Sequence, residues 1–212
     1  MSIKSWSYSR IKAFEQCPKQ FYHLKVAKDY SEPVTSAMSY GTAFHRAAEE
    51  YVRDNKSLPD KFSYAQGGLD SLKAKPGDKL CEIKMGLTED LDPCKFFDKN
   101  VWWRGIADLI ILDGPLACAR YADKGQLELM ALAVFKHFPD VDTIKAGLVF
   151  FVARSLIKDT YTRDMMPVLW DKWLGNYKLM EAAHDSDTWN ARPSGLCKRH
   201  CVVLECVHNG SN

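Results

Sequence analysis

Apolar residues recur at helical spacing through the first third of the chain and at strand spacing through its middle. Ile11, Phe14, Phe21, Tyr22 and Leu24 mark one side of an N-terminal helix, which Ser7 or Ser9 can cap, with Pro18 at the first turn of a restarted helix. After a polar loop around Ser31-Glu32-Pro33, the run Gly41 to Val52 combines strong helix formers with apolar positions at helical spacing, and places His45, Ala48 and Glu49 on one face. A weaker helical piece over 62–75 closes at Pro76-Gly77. The spacing then shortens: 80–84, 94–97 and a long run from Val101 into the Asp113-Gly114 turn predict strands.

Gln126 to Phe138 is apolar on nearly every side and predicts a buried helix. Lys145 to Ala153 is apolar on both faces, the pattern of a strand inside a covered sheet. Met165 to Ala183 predicts a last helix, interrupted near Pro167, with Trp170, Trp173, Leu174, Tyr177 and Met180 as its packing stripe. This order predicts an α/β fold with a central mixed β-sheet flanked by helices. A single domain over 1–212 is expected, with a helical part (1–78), a sheet core with a buried helix (79–160), and a last helix with a cysteine cluster (161–212).

The 212 residues carry 29 Lys+Arg against 27 Asp+Glu, a net charge of +2, so contact with nucleic acid has to come from local patches. The first residues lack an apolar stretch of signal-peptide length, and the longest apolar run, Ala146 to Ala153, is too short to span a membrane. A soluble, cytoplasmic protein is expected. Seven cysteines in a reducing compartment then point to core thiols or metal ligands and away from a disulfide framework.

Within the predicted strand, Asp108 is a single carboxylate among apolar neighbours. A charge there needs a hydrogen-bonding partner, an opposite charge or a metal. A nearby lysine or backbone N–H groups would be one solution. Its context suggests another: Ser7 to Tyr22 with Cys17-Pro18, Gly41-Thr42-Ala43-Phe44-His45, Gly105-Ile106-Ala107-Asp108 and the helix opening at Gln126 follow one another in an order that resembles the RecB/AddB-type nucleases of the PD-(D/E)XK superfamily. The CRISPR-associated four-cysteine nucleases and phage exonucleases of that type are similar as well.

The resemblance implies a restriction-endonuclease-like core in which His45 and Asp108 bind a divalent cation, Mg²⁺ or Mn²⁺. A hard cation held by carboxylate and imidazole polarises a phosphodiester and acidifies a bound water. A helix histidine bonded to Glu49 is the plainer reading of His45. Glu82, on the preceding strand, is a further acid that could stand behind the ligands, a solvated strand glutamate being the simpler case. Gln126 corresponds to the glutamine of the family's Q-x-x-x-Y helix, which positions DNA or water, although Met130 stands at the tyrosine position.

Relatives also carry an acid-x-lysine tripeptide on the strand that returns from the hairpin, where the lysine stabilises developing charge. No such tripeptide lies between Asp113 and Gln126. Asp123 and Lys124 are adjacent, and strand neighbours point to opposite faces. Only Leu116 to Cys118 resembles a return strand. An inactive member, a rearranged site that recruits Asp123 or Lys124, or a segment missing near Cys118-Ala119 would each account for this.

The last part holds Cys197, Cys201 and Cys206, with Cys17 as the natural fourth. In the four-cysteine relatives one N-terminal and three C-terminal cysteines hold an iron–sulfur cluster that staples the chain ends. Here His200 occupies the place of the middle ligand and Cys201 follows it. A [4Fe–4S] cluster on the four cysteines, structural Zn²⁺ on three cysteines with His200 or His208, and unligated thiols are the alternatives. Cys81, Cys94 and Cys118 read as small core residues. The expected function is metal-dependent hydrolysis of DNA, most simply exonucleolytic and in phage replication or recombination, beside a helicase or recombination protein. A catalytically silent DNA-binding or partner-docking module on the same fold is the alternative.

Overall fold

A computed structural model of the chain describes residues 5–113, 116–120, 124–152 and 155–210, with backbone alone for 116–120 and 148. Gly114 of the predicted turn and Asp123 lie outside the described residues. Ser7 accepts a hydrogen bond from the Arg10 N–H (3.4 Å) and opens α1 (Tyr8–Gln16). Pro18 opens α2 (Pro18–Phe21), where its missing N–H costs no helix bond. A π-helical segment, Tyr22–Ala27, follows. Thr35 caps α3 (Ser36–Asp54) by accepting from the Met38 N–H at 3.2 Å, and left-handed Asn55 ends that helix.

A 3₁₀ segment, Asp60–Ala65, leads into α4 (Gln66–Lys73). Then come β1 (Asp78–Leu87), β2 (Pro93–Cys94), β3 (Trp103–Asp113), β4 (Leu116–Arg120), α5 (Lys124–His137), β5 (Thr143–Phe150), β6 (Ser155–Thr162) and α6 (Met166–Asp185). The strand expected over 94–97 is two residues long and starts at Pro93, as its partner β1 runs out at Leu87. Sequence reading missed β6, whose side chains are mostly exposed. Pro167 does not interrupt α6: it is the second residue of the helix, where proline is tolerated.

The described residues form two compact units, Thr35–Asp171 and the pair of segments Met1–Val34 with Lys172–Asn212; the division falls within α6. In the first, one six-stranded sheet runs β2-β1-β3-β4-β5-β6. Every neighbouring pair is antiparallel except β4 and β5, which are parallel and joined through α5. Leu127 and Leu129 to Phe135 are buried, so α5 is apolar all round and serves as the core of this unit. A Cβ added at Gly105 would come within 2.7 Å of Met130 Sδ, so this glycine of β3 lets α5 approach. By strand alternation Asp108, three residues on, points to the other face of the sheet.

In the second unit, Trp189 packs against Phe14 (6.4 Å between centroids), Phe21 (6.1 Å) and Tyr22 (5.3 Å), and buried Trp6 meets Tyr177 at 5.4 Å. Buried Asn209 donates to the carbonyls of Cys201 and Val203, both at 3.0 Å, and so fixes the cysteine-bearing loop.

Candidate metal centre

The β1–β3 ladder holds one register from Asp78↔Leu112 to Leu87↔Trp103, and that register sets Glu82 opposite Asp108. Neither residue forms a bridge pair there: the ladder passes from Cys81↔Leu109 to Ile83↔Ala107. Glu82 has a φ of 51°, a left-handed conformation inside a strand that takes its side chain out of the regular alternation. Two like charges directly across a ladder destabilise it unless something opposes them.

His45 reaches the same place from α3. Its Nδ1 lies 3.5 Å from Asp108 Oδ1. One ligand atom each from His45, Glu82 and Asp108 fall within 4.8 Å of one another. Glu49, the neighbour on the His45 face, is instead paired with Arg53. Burial, then the charges of Asp108 and Glu49, raise the Glu82 carboxyl above its ordinary value, with His45 opposing. Burial likewise pushes the nearby Cys81 thiol up, which leaves it protonated and unreactive at neutral pH.

The three side chains line one end of a cavity of about 460 Å³. Glu49 also lines it, and the rest of its described wall is largely apolar and aromatic: Tyr40 and Phe44 from α3, Tyr64 from the 3₁₀ segment, Phe150 at the end of β5 and Phe151 after it. Sequence reading missed this wall, because its rings come from three elements whose proximity no local pattern encodes. No lysine or arginine is among the described lining residues.

Lys124 and Gln126 are not brought to the cavity. Both sit in the first turn of α5, on the face of the sheet opposite Asp108, and Lys124 Nζ lies 3.8 Å from Asp159. The β3–β4 ladder ends at Ile110↔Ala119 among the described residues, two positions short of Asp108.

In the other unit Cys17, Cys197, Cys201 and Cys206 line one small cavity, with His208 beside them. Cys17 Sγ accepts from the Arg192 N–H (3.4 Å), Cys197 Sγ from the Ser194 N–H (3.3 Å), and Cys201 Sγ from Gln20 Nε2 (3.8 Å). His200 is not among the lining residues. Among the described residues a second convergent group is His23, Asp29 and Glu205, where buried His23 has Nδ1 3.0 Å from Asp29 and Nε2 3.4 Å from Glu205. Both ring nitrogens face carboxylates. The cysteines are not a group of this kind.

Residues 5–83 match the family model of the PD-(D/E)XK nuclease superfamily. The matched span reaches from the residues before α1 into β1 and includes His45 and Glu82, while Asp108 and the C-terminal cysteines lie beyond it. A crystal structure from Eubacterium rectale, of a protein named "Putative exonuclease", has a similar fold: TM-score 0.55, 11% identity, covering 93% of this chain and 87% of that one. A comparison with curated proteins finds no match. The mixed α/β architecture, an antiparallel-rich sheet flanked by helices, agrees with a nuclease fold. Among the described residues no helix is long and apolar enough to cross a membrane.

Proposed function

We propose that the protein is a divalent-metal-dependent deoxyribonuclease whose cation is held by His45, Glu82 and Asp108. The observation that carries the reading is the convergence of an imidazole from α3 with two carboxylates from paired strands, at a point where the carboxylates repel one another. The donor set fits a hard divalent cation: two carboxylate oxygens suit Mg²⁺, and the imidazole extends the choice to Mn²⁺. When bound, the cation would supply Lewis acidity toward a phosphodiester and a more acidic water.

The chain's own contributions are orientation and charge. Asp108 and Glu82 stand opposite one another in the β1–β3 register, and the left-handed backbone at Glu82 sets its side chain apart from the regular ladder. His45, exposed on α3, approaches from the open side and leaves room for a phosphate. An exonucleolytic mode on DNA, the sequence-based expectation, is retained. Incubation with linear DNA and Mg²⁺ or Mn²⁺ should give cleavage that Asp108→Ala and Glu82→Ala each abolish, with calorimetric Mn²⁺ binding lost in parallel. Cleavage that persists in both variants overturns the assignment.

A second reading is a DNA-binding module without catalysis, in line with a described cavity lining that holds no lysine or arginine. It predicts that DNA is retained and left intact at every metal concentration.

The four cysteines are proposed to hold an iron–sulfur cluster. Tetrahedral zinc places its sulfurs about 3.8 Å apart, and among the described residues these thiols do not form a group within 4.8 Å. A wider cluster suits that spread and the N–H groups directed at the sulfurs. The ligand assignment of Cys17, Cys197, Cys201 and Cys206 is tested by anaerobic purification: absorbance near 400 nm with stoichiometric iron is expected, and zinc without iron rejects it.

A further inference from the structure

The proposed cation group shares its cavity with a set of aromatic rings. Phe44 follows His45 in the chain and stands 6.2 Å from it between centroids. Tyr64 lies nearly parallel to Phe44, at 6.0 Å and 13°, and Phe151 meets Phe44 edge-on at 5.3 Å. Buried Phe62 supports Tyr40 and Phe44 from below, each at 5.3 Å. Above this base Tyr40 and Tyr64 keep 43% and 40% of their surface open, and their hydroxyls are 3.2 Å apart. A core cluster would bury those rings.

We propose that Tyr64 and Tyr40, backed by Phe44 and Phe151, form a nucleobase subsite that stacks an unpaired base of a single DNA strand beside the phosphate at His45, Glu82 and Asp108. The inference deepens the nuclease reading and rests on it.

The walls select this ligand. Away from the carboxylates, the described lining is mostly apolar and aromatic. Flat, uncharged rings are what its walls accommodate, and base–aromatic stacking is tolerant of sequence. The paired phenols add a neutral donor and acceptor for a base edge. Desolvation, then the hydrogen bond with Tyr40, push the Tyr64 phenol up to about 12, so it stays neutral over the working range. A base can enter only when it is unpaired, which makes a frayed end or a single strand the preferred substrate.

The test walks one abasic nucleotide along a single-stranded oligonucleotide. At one position its introduction should weaken binding and cleavage by wild-type protein about tenfold. Tyr64→Ala should remove that position's effect, and Tyr64→Phe should keep it. In parallel, 2-aminopurine at the sensitive position should be quenched by Asp108→Asn protein, and the quench should vanish in Asp108→Asn/Tyr64→Ala. A flat abasic walk in the wild type, which needs no variant, overturns the subsite, as does a quench that Tyr64→Ala leaves unchanged. Failure of the nuclease reading looks different: no cleavage with Mg²⁺ or Mn²⁺, while the quench still reports stacking.

Discussion

Glu82 shows what a single carboxylate costs when it is partly buried opposite a like charge. Burial, the facing Asp108 and Glu49 hold its carboxyl above the ordinary 4.5. A carboxyl raised on folding contributes stability below its unfolded value and loses it as pH rises through the folded value. Metal-free protein therefore pays for an ionised Glu82 at neutral pH. Glu82→Gln should melt above the metal-free wild type at pH 7 by a few tenths to about 1 kcal/mol, after solvent screening. Thermal melts at falling pH should show the gap closing. Added Mn²⁺ should raise the wild-type Tm and leave the variant's nearly unmoved, because only a bound ligand shifts the folding equilibrium. At this scale the sequence was partly legible. Asp108 and His45 stand out because an acid in an apolar strand and a histidine on a helix are local anomalies. Glu82 reads only as a further acid on the preceding strand, since its place opposite Asp108 depends on the register between two strands, which no window of neighbouring residues contains.

Gly105 belongs to the same scale and points to the next. Sequence resemblance singles it out only as the start of the motif that ends at Asp108, whereas the fold gives it a packing role against Met130 and Trp103. Gly105→Ala should destabilise by about 1–3 kcal/mol through overpacking, measured by urea titration. Mn²⁺ affinity should survive in the folded fraction, because the added methyl faces α5 and the cation group faces away.

At the level of elements, α5 is the pivot: it carries the chain from β4 across to parallel β5 and fills the core beneath the sheet. Its end is held by one side chain. The Arg163 guanidinium donates to the carbonyls of Phe135 (3.0 Å), Phe138 (3.2 Å), Pro139 (2.7 Å) and Val141, and lies over the Phe135 ring at 5.2 Å. These carbonyls belong to the last turn of the helix and the loop beyond it, where intrahelical donors have run out. Arg163→Ala should cost on the order of 2–3 kcal/mol, and Arg163→Lys should recover little of it, because an ammonium cannot present the planar fork. Chemical denaturation of both variants decides it. The helices and the long strand were legible here, since their periodicity and caps are local. β6 was not: its outward residues, Leu156 and Ile157 among them, stay exposed, so burial never imposed an alternating pattern on it. The expected pairing of Gln126 and Lys124 with the site failed for a related reason, since the face of the sheet that receives α5 is decided by packing.

For the whole molecule the two proposed metal-ligand sets fall in different units, and this sets how far damage at one should be felt at the other. Cys17, Cys197, Cys201 and Cys206 all belong to the unit made of the two end segments, and His45, Glu82 and Asp108 all belong to Thr35–Asp171. Each unit has its own buried core: the Trp189 and Trp6 aromatic groups in one, α5 under its sheet in the other. The proposed cluster on these cysteines would join segments far apart in sequence and so act as a long-loop cross-link whose loss releases much conformational entropy. Cys197→Ala should therefore abolish the absorbance near 400 nm and introduce an early, low-temperature transition in calorimetry. The later transition should still shift upward with Mn²⁺, as the His45, Glu82 and Asp108 ligands rest on strand register and on α3 alone. A single merged transition that no longer responds to Mn²⁺ would show that the cation group depends on the cysteine unit, and would replace separate stabilities with one cooperative fold.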